Sequence, residues 1–192
     1  MQITKKEYNN LPRDKRNSVE ALKAITVKQP FAQWISDGIK TLEIRANPTN
    51  YRGKIIVTSN EYPKVDGYLS GAAVCVAEIV DCIKVKELKI EEWKGSLISE
   101  QDRKKYINHY AYVIKNARPI IEIPIKGNLG VWNLYISKGD LMEYPKELDF
   151  YCRNERHYFK EANLKRRAII TVYAVLASMA IIIGLIISLA KS

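Results

Sequence analysis

Lys40, Glu43 and Arg45 fall within one short stretch, Lys40-Thr41-Leu42-Glu43-Ile44-Arg45, shortly after Gly38. A carboxylate set between an ammonium and a guanidinium has two uses. It makes an ion-pair cluster on a solvated surface, or it floors a polar cleft in which the cations meet anionic groups. Read as a strand with period two, the stretch sends Leu42 and Ile44 to one side and Thr41, Glu43 and Arg45 to the other. Lys40 then sits at the junction with the preceding segment. Glu78 adds a second carboxylate inside the apolar run Gly71–Val80. A charge there needs a cation or hydrogen-bond donors, and Lys40 and Arg45 are the candidates.

The elements that must position these groups follow from pattern. Ala24-Ile25-Thr26-Val27 alternates as a first strand. Pro30 suits the first turn of a helix in which Phe31, Trp34 and Ile35 share one face, and Gly38 ends it; these aromatics are expected in the core. Lys54–Ser59 is a strand rich in β-branched residues, and Gly71–Val80, apolar on both faces, is a buried strand. Ile83–Gln101 reads as a charged, helix-rich connector containing Trp93. Tyr110–Ile114 and Ile120–Ile123 are further strands, and the Gly-bracketed turn Lys126–Gly130 leads into Val131–Leu134. Residues 1–23 are expected to form a flexible arm, or a short helix over Val19–Leu22. The sum is an α+β class: a small β-barrel with flanking helices over residues 24–137.

The remainder of the chain is of another kind. From Ala168 to Ala190 run 23 uncharged residues, twelve of them Ile, Leu or Val. A bilayer core needs about 20 apolar residues as a helix, so residues 168–190 are expected to be a transmembrane helix. Lys165, Arg166 and Arg167 abut it, after a basic juxtamembrane segment over 138–167, and place the N-terminal domain in the cytoplasm as a single-pass, tail-anchored protein. Ala180, Gly184 and Ser188 recur every fourth residue, a spacing for self-association within the membrane. Residues 1–167 hold 30 basic and 21 acidic residues, a net charge of +9 that favours polyanionic partners. Cys75, Cys82, Cys152, His109 and His157 have no metal-ligand or CxxC spacing, so neither a metal nor a cofactor is expected. The N-terminus has no apolar h-region, so no secretory signal is expected.

Several pieces occur in a fixed order: Thr26-Val27-Lys28-Gln29-Pro30-Phe31-Ala32, Gly38–Arg45 with the pattern G-x-K-x-x-E-x-R, Tyr51-Arg52-Gly53-Lys54, the Gly71–Cys82 strand, and Gly127-Asn128-Leu129-Gly130-Val131-Trp132-Asn133-Leu134. In these the chain resembles the activating-signal-cointegrator homology (ASCH) domain, of the PUA-like superfamily, over about residues 24–135. The resemblance implies a PUA-like barrel with a cleft between barrel and helix, suited to nucleic acid, RNA foremost, or a nucleotide. On that reading Lys40, Arg45, Arg52 and Lys54 meet phosphates, and Glu43 accepts from a base amino group or holds Arg45. Gln29 and Asn133 read a base edge, and Tyr51 or Trp132 stacks on one.

The function expected is therefore non-catalytic: a membrane-tethered domain binding nucleic acid. One alternative is a small hydrolase of a modified nucleoside or RNA. Some domains similar to this one remove the acetyl group of N4-acetylcytidine with a Lys, a Thr nucleophile and a Glu. Lys40 and Glu78 match the lysine and strand-glutamate positions, but Glu43 occupies the nucleophile position. Thr41, about 6.5 Å along the strand, stands too far away to replace it. A further alternative is a ligand-sensing or protein-interaction module.

Overall fold

The computed structural model describes residues 2–142. The expected membrane helix over 168–190, with Ala180, Gly184 and Ser188, and nearly all of the juxtamembrane segment lie outside the described residues. Among the described residues no helix is long and apolar enough to cross a membrane.

The domain is a small, β-rich sheet structure. Its elements are β1 (Gln2–Ile3), α1 (Lys5–Asn10), α2 (Arg13–Arg16), β2 (Val19–Val27), α3 (Phe31–Ser36), β3 (Leu42–Arg45), β4 (Gly53–Ser59), β5 (Ala72–Lys84), β6 (Tyr110–Pro124) and β7 (Val131–Ser137). Seven strands pair in the order β1-β7-β2-β4-β5-β6-β3. Among the described strands only β2 and β4 run parallel, which the crossover through α3 and β3 makes possible. Alternation along the central strands feeds two clusters. Ile25, Val27, Ile55, Val57, Cys75, Ala77 and Ile79 pack with Ala32 and Ile35 of α3, while Ala24, Ile56, Val76, Ile120, Leu134 and Ile136 fill the other face. The expectation that the Gly71–Val80 strand would be apolar on both faces for burial agrees with this.

The sheet rolls up. In pairing order β3 stands four strands from β2, about 19 Å across a flat sheet at normal strand spacing. Yet Arg45 on β3 donates from Nη2 to the Thr26 carbonyl on β2 at 2.5 Å. The roll brings the two ends of the Lys40–Arg45 problem, cations and backbone, to one opening.

Several local expectations need correction. Val19–Leu22 is strand, not helix, because β2 begins there and pairs with β7 from Val19↔Ser137 onward. The first residues, expected as a flexible arm, form β1 against β7 and the helix α1, whose cap is the Thr4–Glu7 capping box. The two strands expected over 110–123 are one, broken in register by bulges, with Asn116 in the left-handed conformation. Residues 83–101 are not helix-rich in the α sense: β5 runs to Lys84 and short 3₁₀ helices follow over Val85–Glu87 and Glu92–Ser96, with another over Arg103–Tyr106. Their buried residues are Val85, Trp93 and Ser96, and Leu97, left-handed at a φ of +60°, ends the Glu92–Ser96 helix. In α3 the buried stripe is Ala32, Ile35 and Ser36; Phe31 turns out to be exposed.

Candidate functional site

The Lys40–Arg45 stretch lies at a cavity of about 640 Å³ whose lining includes Lys40, Glu43 and Arg45. Lys40 is placed by the end of α3: Gly38 takes a φ of +73°, and the amides of Ile39 and Lys40 both donate to the Trp34 carbonyl at 2.9 Å. Its ammonium is buried beneath Phe31, 5.4 Å from the ring centre. It donates to the carbonyls of Leu42 at 2.6 Å and Ser96 at 2.8 Å, and stands 3.4 Å from Glu43 Oε2. Three partners use the three donors an ammonium has. Burial outweighs the attraction of Glu43 and lowers the Lys40 pKa from its ordinary 10.5. Lys40 is thus a bolt: with the Thr41 amide bonded to the Gly95 carbonyl at 2.9 Å, it fastens the 92–98 segment to β3.

Glu43 bridges the two cations, its Oε1 lying 3.1 Å from Arg45 Nη2. Leu42 and Ile44, on the opposite side of β3, pack with Val85, Trp93 and Ala111, so the period-two reading of this strand holds. Arg45 keeps about a quarter of its side chain exposed, and its buried Nε has no hydrogen-bond partner. It is the member of the trio that still has donors to offer.

Two walls rise from this floor. One comprises Ser96, Ile98 and Tyr106; the other is the segment Lys126–Leu129. Lys28, Phe31, Asn60, Glu61 and Tyr62 complete the rim. The lining therefore carries four cations (Lys28, Lys40, Arg45, Lys126) against two carboxylates (Glu43, Glu61). Tyr62, 69% exposed, and Phe31 bring aromatic rings to the lining, which also includes Leu129, 90% exposed.

The other residues singled out in the sequence do not line this cavity. Gln29 is buried; its Nε2 donates to the Leu69 carbonyl at 2.7 Å and its Oε1 accepts the Gln33 amide at 3.1 Å, so both ends of the amide are engaged. Tyr51 donates to the Lys54 carbonyl at 2.6 Å, and Arg52 pairs with Asp81 at 2.9 Å. Lys54 stands opposite Glu78 in the β4–β5 ladder. Glu78, whose candidate partners from the sequence are Lys40 and Arg45, accepts instead from Asn116 Nδ2 at 2.8 Å, with Lys115 its partner on β6. Asn133 is exposed on β7. Trp132 reaches the site indirectly, donating from Nε1 to Thr26 Oγ1 at 3.2 Å. Thr41 packs its side chain against Gly95. Sequence reasoning gave no binding role to Thr26, Lys28, Tyr62, Tyr106 or Lys126–Leu129; of these Thr26, Lys28 and Gly127–Leu129 were visible only as parts of the ordered blocks and of the glycine-bracketed turn. Among the described residues no group of His, Cys, Asp and Glu is arranged to hold a metal ion.

A family model described as "ASCH domain" matches residues 25–124. Activating signal cointegrator 1 of Homo sapiens is 29% identical over 112 residues, and that of Mus musculus 28%; in each the match covers 58% of this chain and 16% of the relative. The chain spans only that small fraction of the curated relatives it matches. The crystal structure of ASCH from Zymomonas mobilis superposes with a TM-score of 0.45 at 18% identity, over 68% of this chain and 93% of that one.

Proposed function

This chain belongs to the ASCH-domain family through residues 25–124, and on that premise we propose that its cavity binds a single-stranded stretch of nucleic acid, RNA foremost, without catalysis. The observation that carries the reading is the convergence of Lys28, Arg45 and Lys126 with the aromatic residues Phe31, Tyr62 and Tyr106 on one opening. Cations track the phosphates, and rings stack on bases of any sequence. Glu43, though paired, retains carboxylate lone pairs that can accept from a base amino group. Binding is favoured over hydrolysis because the Lys40 nitrogen is committed to two carbonyls and Glu43 stands where a hydroxyl nucleophile would be needed.

Fluorescence anisotropy of a labelled RNA oligomer against the full chain tests this. With three phosphates neutralised, log K should fall against log salt with a slope of about −2, and Lys28→Ala or Lys126→Ala should each flatten it by about 0.7. Lys15→Ala, away from the cavity, should leave the slope unchanged. Binding that is indifferent to salt, or no tighter than that of a neutral control protein, removes the proposal.

The same proposal includes a single-pass anchor over residues 168–190 with the domain on the cytoplasmic side, resting on the apolar run and the flanking Lys165, Arg166 and Arg167. The full chain should stay in the membrane pellet through alkaline carbonate. Ile181→Arg with Leu185→Arg, each costing about 3 kcal/mol at a helix centre, should release it.

A further inference from the structure

Outside the trio of charges, the cavity's second wall has an unusual support. Lys126–Leu129 is held at two points by residues far away in sequence. At one, Gln2, on β1, lays its side-chain amide along the backbone of Lys126. Its Nε2 donates to the Lys126 carbonyl at 3.2 Å, and its Oε1 accepts the Lys126 amide at 2.8 Å. Gln2 is itself placed by pairing with Ile136 and by Tyr8 of α1, stacked on Tyr135 with ring centres 4.8 Å apart. At the other, Thr26 Oγ1 accepts the Asn128 amide at 2.9 Å and the Trp132 indole at 3.2 Å. Gly127 lies so close to Thr26 that a Cβ there would stand 2.6 Å from the Thr26 methyl. The Thr26 carbonyl, meanwhile, takes the Arg45 guanidinium.

From this we propose that Gln2 and Thr26 are positioning residues that fasten segment 126–129 as the fixed wall of the cavity. The amino-terminal strand, which precedes the family-matched region, is then a working part of the binding site. The inference rests on the nucleic-acid reading for what the wall is for, but the fastening is independent of it. Its physical benefit is preorganisation: the backbone that carries Lys126 is fixed before a ligand arrives, so little ordering entropy is lost on binding.

The test uses the full chain in detergent, with hydrogen–deuterium exchange and binding of a labelled single-stranded RNA oligomer read in parallel. Gln2→Ala and Thr26→Val should each raise exchange of the peptide spanning 125–130 by about tenfold, the equivalent of one or two lost hydrogen bonds, and leave β5 and β6 unchanged. Thr26→Ser, which keeps the hydroxyl, should retain wild-type protection. Gln2→Ala should weaken RNA binding about fivefold, yet change nothing further in a Lys126→Ala background, because Gln2 acts through Lys126. Unaltered exchange over 125–130 in Gln2→Ala overturns the proposal. So does an RNA loss that adds fully to that of Lys126→Ala. If the wild type binds no RNA, the nucleic-acid reading fails, and the exchange result alone decides whether the wall is fastened.

Discussion

Replacing Lys40 with methionine is expected to lower the unfolding free energy by about 3 kcal/mol, the cost of leaving one partner of a buried pair uncompensated. Methionine matches the lysine stem in length, so the loss comes from the ammonium and not from packing beneath Phe31. Two carbonyls, those of Leu42 and Ser96, lose their donor, and Glu43 is left with Arg45 alone. The 92–98 wall loses its bolt. A second substitution discriminates the causes: in Lys40→Met with Glu43→Leu the carboxylate that lost one of its two cations is gone, and the double variant should be more stable than the single one. The pH dependence has a definite sign. Lys40 has its pKa lowered from 10.5 in the folded state, so between that lowered value and 10.5 the unfolded chain holds the extra proton and stability rises with pH. The difference between wild type and Lys40→Met in urea unfolding should be level below this window and widen in favour of the wild type on passing up through it. A difference that shrinks instead would mean that the Glu43 attraction outweighs desolvation.

What could be read in the sequence was whatever depended on neighbours a few residues apart. Period two in Leu42–Arg45 put Glu43 and Arg45 on the side away from the core, and the apolar run through β5 announced burial on both faces. Contacts made by the roll of the sheet were invisible. Thr26 read as one residue of an alternating strand; its role comes from Arg45, Asn128, Trp132 and Thr58, none nearer than 19 positions along the chain. Gln2 looked like part of a polar arm because its partner Lys126 is 124 residues away. Gln29 shows the reverse error. A buried glutamine beside a suspected cleft looked free to read a base, but its amide bridges Leu69 and Gln33. Phe31 failed for a different reason: a helix of six residues buries too narrow a stripe for three aromatic or aliphatic residues to share, and the small Ala32 and Ser36 take the inner positions.

Gly127→Ala should displace the Lys126–Leu129 wall of the cavity. The new Cβ would lie 2.6 Å from Thr26 Cγ2 and 2.7 Å from its Oγ1, separations that force one side to move. Thr26 is the less able to yield. It sits in the parallel ladder opposite Thr58, bonds that residue's hydroxyl at 3.1 Å, and holds the Trp132 indole. The 126–129 segment must therefore retreat, breaking the Asn128–Thr26 bond and carrying Lys126 away from the opening. Overpacking of this kind costs about 1–3 kcal/mol, and RNA affinity should fall at least about tenfold if the displaced wall contributes a phosphate contact. The clash predicts its own suppressor. Thr26→Ala removes both offending atoms, so Gly127→Ala in that background should cost far less stability than it does in the wild type. Affinity should not return with it, because the hydroxyl that fixed Asn128 is gone too. Equal costs of Gly127→Ala in the two backgrounds would show that the strain is taken up elsewhere and that Thr26 is not the post against which the wall is set.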